Sequence, residues 1–103
     1  MADILVLYGE PKDPAAFDAY YADVHTPLAR KMPGLKELRV SKGGVTVLGS
    51  QRKVYLAARL TFDSMAELQA SMASPQGKAT ADDVANFATG GIEILIVDTK
   101  HAL

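Results

Sequence analysis

Two apolar runs, Ile4-Leu5-Val6-Leu7-Tyr8 near the start and Ile92 to Val97 near the end, constrain the fold of this chain more than any other feature. Successive residues of a strand point to opposite faces, so a strand apolar on both sides needs cover on both. A small α+β unit has helices enough for only one face of its sheet. The other face must then meet something else, and a second copy of the same sheet is the simplest match.

The residues between the two runs supply the other elements. Gly9 and Pro11 end the first strand, and Asp13 is placed as an N-cap with Pro14 at the first helical position, opening a helix that reaches at least Val24. Pro27 removes the hydrogen bond to the carbonyl of Asp23, which predicts a kink or break beside His25. One more turn, Leu28 to Lys31, precedes the stop at Pro33-Gly34. A second strand starts near Leu35 and runs through Leu38 and Val40 to Gly43-Gly44, with Val45 to Leu48 as a continuation beyond a bulge. Gly49 to Arg52 form the hairpin loop. The third strand, Val54 to Phe62, directs Val54, Leu56, Ala58, Leu60 and Phe62 toward the helices. Asp63 is read as the cap of a second helix from Ser64 to about Ala73, whose seam is Met65, Leu68 and Met72, and Ser74-Pro75 as its end. Thr80 and Asp83 have the spacing of a capping box, predicting a short helix through Val84 and Phe87 that stops at Gly90-Gly91. The order is β-α-β-β-α-β, an α+β ferredoxin-like arrangement expected to form one domain over residues 1–103 and to pair as a dimeric α+β barrel.

Composition narrows the function. Eleven basic residues are scattered singly or in pairs and the formal net charge is −1, so nucleic acid is not an expected partner. Cysteine is absent, which excludes disulfides, thiolate nucleophiles and thiolate metal sites. The first apolar run is too short for a signal peptide or a membrane span, and the expected setting is cytoplasmic with no membrane partner. Hydrophobic residues make up 49% of the chain, more than a small monomer readily hides, which again points to a homodimer.

Chemistry concentrates at Phe17 to Leu28. On an ideal helix Phe17, Tyr21, Val24 and Leu28 share an apolar stripe, with His25 at its border. Two readings of His25 follow: a general acid/base facing a pocket between helices and sheet, or a helix-end ring that satisfies carbonyls freed by Pro27. Among the tyrosines, Tyr8 and Tyr21 are favoured over Tyr20 and Tyr55 as phenols beside that pocket, able to donate to a developing oxyanion. Phe17, Val24, Leu28, Tyr55 and Phe87 are the candidate lining. Asp82 and Asp83 are read as first-turn carboxylates that complement a helix dipole, and Asp23 as a residue able to orient His25. No metal site is expected, since His25 and His101 are the only imidazoles and carboxylates do not cluster near them. No cofactor is expected either; haem ligation by His25 stays open, but no basic cluster awaits the propionates.

The pattern Tyr20-Tyr21, then His25-Thr26-Pro27-Leu28, then Pro33-Gly34-Leu35, resembles the EthD-type family of small dimeric α+β barrel proteins, named for a protein associated with ethyl tert-butyl ether degradation. Ser74-Pro75-Gln76-Gly77 and Asp82 to Phe87 fit the same family. Related barrels include cofactor-free monooxygenases, lactone isomerases, polyketide cyclases and haem-using enzymes, so the resemblance implies a fold and a pocket centred on His25 more than one reaction. The expected function is binding, and transformation without cofactor, of a small hydrophobic carbonyl or phenolic compound by isomerisation, cyclisation or oxygenation. The alternative is a non-catalytic ligand-binding or accessory dimer in the catabolism of small organic molecules.

Overall fold

A computed structural model describes residues Met1 to Leu103. Its strands are β1 (Ala2–Tyr8), β2 (Glu37–Val40), β3 (Leu56–Phe62) and β4 (Ile92–Asp98). They form one antiparallel sheet in the order β2-β3-β1-β4, with Val6 opposite Ala58 on one side and Ile94 on the other. The helices are α1 (Pro14–Tyr20), α2 (Thr26–Ala29), α3 (Met65–Ala73) and α4 (Pro75–Asp83), with a π turn at Tyr21–His25 and a 3₁₀ turn at Val84–Asn86. This is the ferredoxin-like α+β arrangement. The molecule measures 35 × 35 × 18 Å, and the short dimension holds one sheet and one helical layer.

Register puts Ala2, Ile4, Val6 and Tyr8 of β1 on the same face as Ala58, Leu60 and Phe62 of β3, and all seven are buried. Phe17, Tyr21, Met32, Leu68 and Phe87 close over them from the helical layer. No helix covers the opposite face, although Asp3 and Thr61 are buried at one end of it. Leu5 and Leu7 are only half-buried there, and Leu95 beside them is exposed. Strand β4 is open even on the helical side, where Ile94 is 52% exposed, because no helix reaches that edge of the sheet.

Several local expectations are corrected. Val45 to Leu48 is not a strand continuation: a single bridge joins Val45 to Val54. Ser64, rather than Asp63, caps α3, its hydroxyl accepting from the Glu67 amide at 3.2 Å. Ser74-Pro75 ends α3 and also starts α4 at once, with Ser74 as N-cap accepting from the Gly77 amide and Pro75 at the first helical position. Thr80 therefore lies inside a helix, its hydroxyl donating to the Gln76 carbonyl, and caps nothing. The two helices cross closely at Gly77, where a Cβ would sit 2.0 Å from the Ser71 carbonyl oxygen. Only glycine permits that approach.

Candidate functional site

The site begins with a backbone irregularity. Instead of breaking at Pro27, the helix widens: the Thr26 amide donates to the Tyr21 carbonyl, five residues back, and α2 then resumes with Pro27 in its first turn, where a missing N–H is tolerated. In the wider turn a residue four positions on returns to nearly the same direction. The inward row is therefore Phe17, Tyr21, His25, Ala29, and His25 moves from the border of the stripe to its centre. It is 5% exposed. Val24, expected at the pocket, is turned outward and 39% exposed, and Leu28 is half-buried away from the cavity, both for this reason.

His25 meets a partner that local spacing does not reveal. Its Nδ1 lies 3.0 Å from Asp83 Oδ2, and the two side chains are equally buried. The other carboxylate oxygen, Oδ1, accepts from the Tyr20 hydroxyl at 2.6 Å and from the Asn86 amide at 3.0 Å. Burial pushes the Asp83 carboxyl up, but the bonds from Tyr20, Asn86 and His25, with the imidazole's charge, outweigh it and leave the group below its ordinary value. An ionised carboxylate can only accept, so Nδ1 carries the proton toward Asp83. In the neutral ring Nε2 is then the acceptor. Phe87 packs on the imidazole with centroids 4.6 Å apart, and Tyr21 lies 5.4 Å away.

A cavity of about 100 Å³ lies between this ring and the sheet. Ile4, Val6, Ala29, Met32, Ala58 and Leu60 contribute apolar walls, and His25, Tyr8 and Tyr21 also line it. Ser71 Oγ is the sole sealed side-chain polar atom without a partner. The unbonded hydroxyls of Tyr8 and Tyr21 and the free Nε2 of His25 are therefore not sealed off, and all three residues line the cavity. Burial drives the Tyr8 phenol well up, with the Tyr21 ring and the Asp83 charge adding to it, and pushes Tyr21 up to about 12. Both stay protonated donors near neutral pH. The lining residues that are also exposed, Met72, Ala81, Ile92 and Ile94, mark an opening along the uncovered edge of β4.

Other expected site residues lie elsewhere. Phe17 and Phe87 are buried in the aromatic cluster behind Tyr8 and Tyr21 and do not line the cavity. Tyr55 packs edge-on against Phe17, but its hydroxyl donates to Asp18 outside the cluster. Asp23 is exposed, and orienting His25 falls to Asp83. Asp83 is not in a first turn: it is the last residue of α4, the end where freed carbonyls disfavour a carboxylate. Tyr20, less favoured as a pocket phenol, and Asp83, expected to complement a dipole, instead form the network on His25 together with Asn86, which carries no local signal. Ser74-Pro75 held the signal, since a helix started there puts Asp83 at its unfavourable end.

Residues 9–91 match the family described as the EthD domain. A protein of Rhodococcus erythropolis, described as an uncharacterized 11.0 kDa protein in the thcB-thcC intergenic region, is 39% identical over 103 residues, covering 100% of this chain and 99% of that one. A solved EthD family protein from Bacillus halodurans aligns with a TM-score of 0.86 at 33% identity, over 97% of this chain and 99% of its own. A dimeric ferredoxin-like protein of unknown function from Jannaschia gives a TM-score of 0.66 at 25% identity, over 95% of this chain and 98% of its own.

Proposed function

The chain belongs to the EthD family, and from that premise we propose that it is a homodimer that binds a small, mostly apolar carbonyl-bearing or phenolic molecule and moves a proton on it with His25. The observation that carries this reading is the buried 3.0 Å contact between Asp83 and His25 Nδ1, which turns the basic nitrogen to an apolar cavity. Such a carboxylate fixes the tautomer and stabilises the imidazolium once it forms. Nε2 takes a proton from a C–H acid beside the carbonyl, or from a phenol. The electron pair left behind settles on the substrate oxygen, where the Tyr8 and Tyr21 hydroxyls donate to it. Returning the proton to another carbon gives an isomer, and attack of the enolate on a second carbonyl gives a ring. Transfer of an electron to dioxygen begins an oxygenation.

At about 100 Å³ the cavity is somewhat below the roughly 150 Å³ that accepts benzene in an engineered apolar cavity, so it suits a small ring or one end of a longer molecule entering along β4. The bare sheet face and open edge of β4 suit a second copy, and the Jannaschia protein is described as dimeric. The test is affinity capture of small metabolites followed by mass spectrometry, with wild type and His25→Gln side by side. A captured compound converted only by wild type supports proton-transfer chemistry; capture without conversion by either supports the binding-only reading, in which His25 anchors a hydrogen bond. Equal conversion by both proteins refutes His25 as the base.

A further inference from the structure

The network behind His25 extends farther than proton transfer requires. Asp83 ends α4, the end of the helix dipole that disfavours a carboxylate, and burial costs it hydration, yet it is held ionised there by donors from three separate elements. A carboxylate has two equivalent oxygens and a rotatable terminal bond. One contact to His25 would not by itself decide which oxygen the imidazole meets, or in what plane. Here both non-histidine donors, the hydroxyl of Tyr20 and the amide of Asn86, sit on Oδ1. Oδ2 is left for Nδ1. The hydrogen bond to Asp83 drives the Tyr20 phenol up, so the proton stays on tyrosine and Tyr20 remains the donor. Its ring also stacks on Phe87 at 5.5 Å and 27°, and Phe87 is the ring that packs on His25.

We propose that Tyr20, assisted by Asn86, is a positioning residue: by occupying Asp83 Oδ1 it presents Oδ2 alone to His25 Nδ1 and so holds the imidazole in the tautomer whose Nε2 accepts a proton from the cavity. The inference rests on reading His25 as the acid/base group. Tyr20 does not line the cavity, and its hydroxyl acts only through Asp83.

The experiment uses full-length protein labelled with ¹⁵N in histidine, with long-range ¹H–¹⁵N correlation reporting which ring nitrogen is protonated and how fast the Nδ1 proton exchanges with solvent. Tyr20→Phe keeps the ring against Phe87 and removes only the hydroxyl. Wild type shows His25 protonated at Nδ1 with slow exchange. In Tyr20→Phe, losing a bond to a charged acceptor frees the carboxylate, and Nδ1 exchange speeds up roughly tenfold or more with the second tautomer becoming visible. Asn86→Ala changes an exposed side chain and gives a weaker effect in the same direction, which keeps the test available if Tyr20→Phe does not fold. Unchanged tautomer and exchange in Tyr20→Phe, or in Asn86→Ala where that variant alone folds, overturns the proposal. Failure of the acid/base reading looks different: metabolite conversion then survives His25→Gln, whatever the tautomer of the wild-type ring.

Discussion

Replacing Asp83 with asparagine keeps the shape of the side chain and removes its charge, and the consequences separate cleanly. Three hydrogen bonds now end on this carboxylate, at 2.6, 3.0 and 3.0 Å. A neutral acceptor weakens the bonds from Tyr20 and Asn86 by about 1 kcal/mol each, and the bond with His25 is replaced by a neutral one of opposite direction at about the same cost, roughly 3 in all. Relief of the carboxylate at the end of α4 returns about 0.3–1 kcal/mol and relief of its buried charge returns more, but the lowered carboxyl shows that the bonds outweigh burial, so a net loss on the order of 1 kcal/mol remains at neutral pH. The sign with pH follows from the folded state. The Asp83 carboxyl lies below its ordinary value of 3.8, so its contribution is complete above that value and disappears as pH falls through the lower, folded one. Asp3 is lowered as well, burial being outweighed by Thr61 and Arg59, but it is common to both proteins and cancels in the difference. Urea unfolding of wild type and Asp83→Asn at fixed protomer concentration, at pH 7 and again near pH 3, should show a gap that narrows in acid. The asparagine amide also offers N–H where Nδ1–H now donates, so the imidazole changes tautomer and loses its basic Nε2, and turnover of an identified substrate falls far more than stability. An equal gap at both pH values, or an unchanged tautomer, refutes the argument.

Other expectations follow from single contacts. Gly77→Ala drives a Cβ into the Ser71 carbonyl and the Met72 backbone, so α3 and α4 must separate; thermal melting should show a loss of at least about 2 kcal/mol. Tyr21, pushed up to about 12, contributes stability below pH 10 that is lost as pH rises from 10 through 12, and Tyr21→Phe should flatten that alkaline limb in a denaturation series. Leu5→Lys places a charge at the centre of the bare sheet face and should turn a sedimenting dimer into a folded monomer; an unaltered dimer would move the interface elsewhere.

Much of the architecture is written in local signals. Asp13-Pro14 announces α1, and the Asp13 carboxylate does accept from the Ala16 amide at 3.1 Å. Alternation from Val54 to Phe62 identifies the face of β3 that meets the helices. The site is less legible because its two central facts are not local. The π turn shifts His25 inward and Val24 outward, and nothing in a 3.6-residue period foretells it. The His25–Asp83 contact joins residues 58 apart, so it exists only once α4 packs across α2. Reading Ser74-Pro75 as a stop alone lost α4, and with it the meaning of Asp83.

On the reading proposed above, His25, with Tyr8 and Tyr21, is the polar centre of a small-molecule site. Calorimetric titration of phenol, a ring with one polar oxygen, into wild type and His25→Gln tests it most directly, with melting curves and sedimentation run on both proteins. Losing one buried hydrogen bond to the ligand predicts about tenfold weaker binding in His25→Gln, with fold and assembly retained. Equal phenol affinity in the two proteins, or a His25→Gln variant that unfolds while wild type binds no phenol, contradicts the account and makes His25 a structural residue.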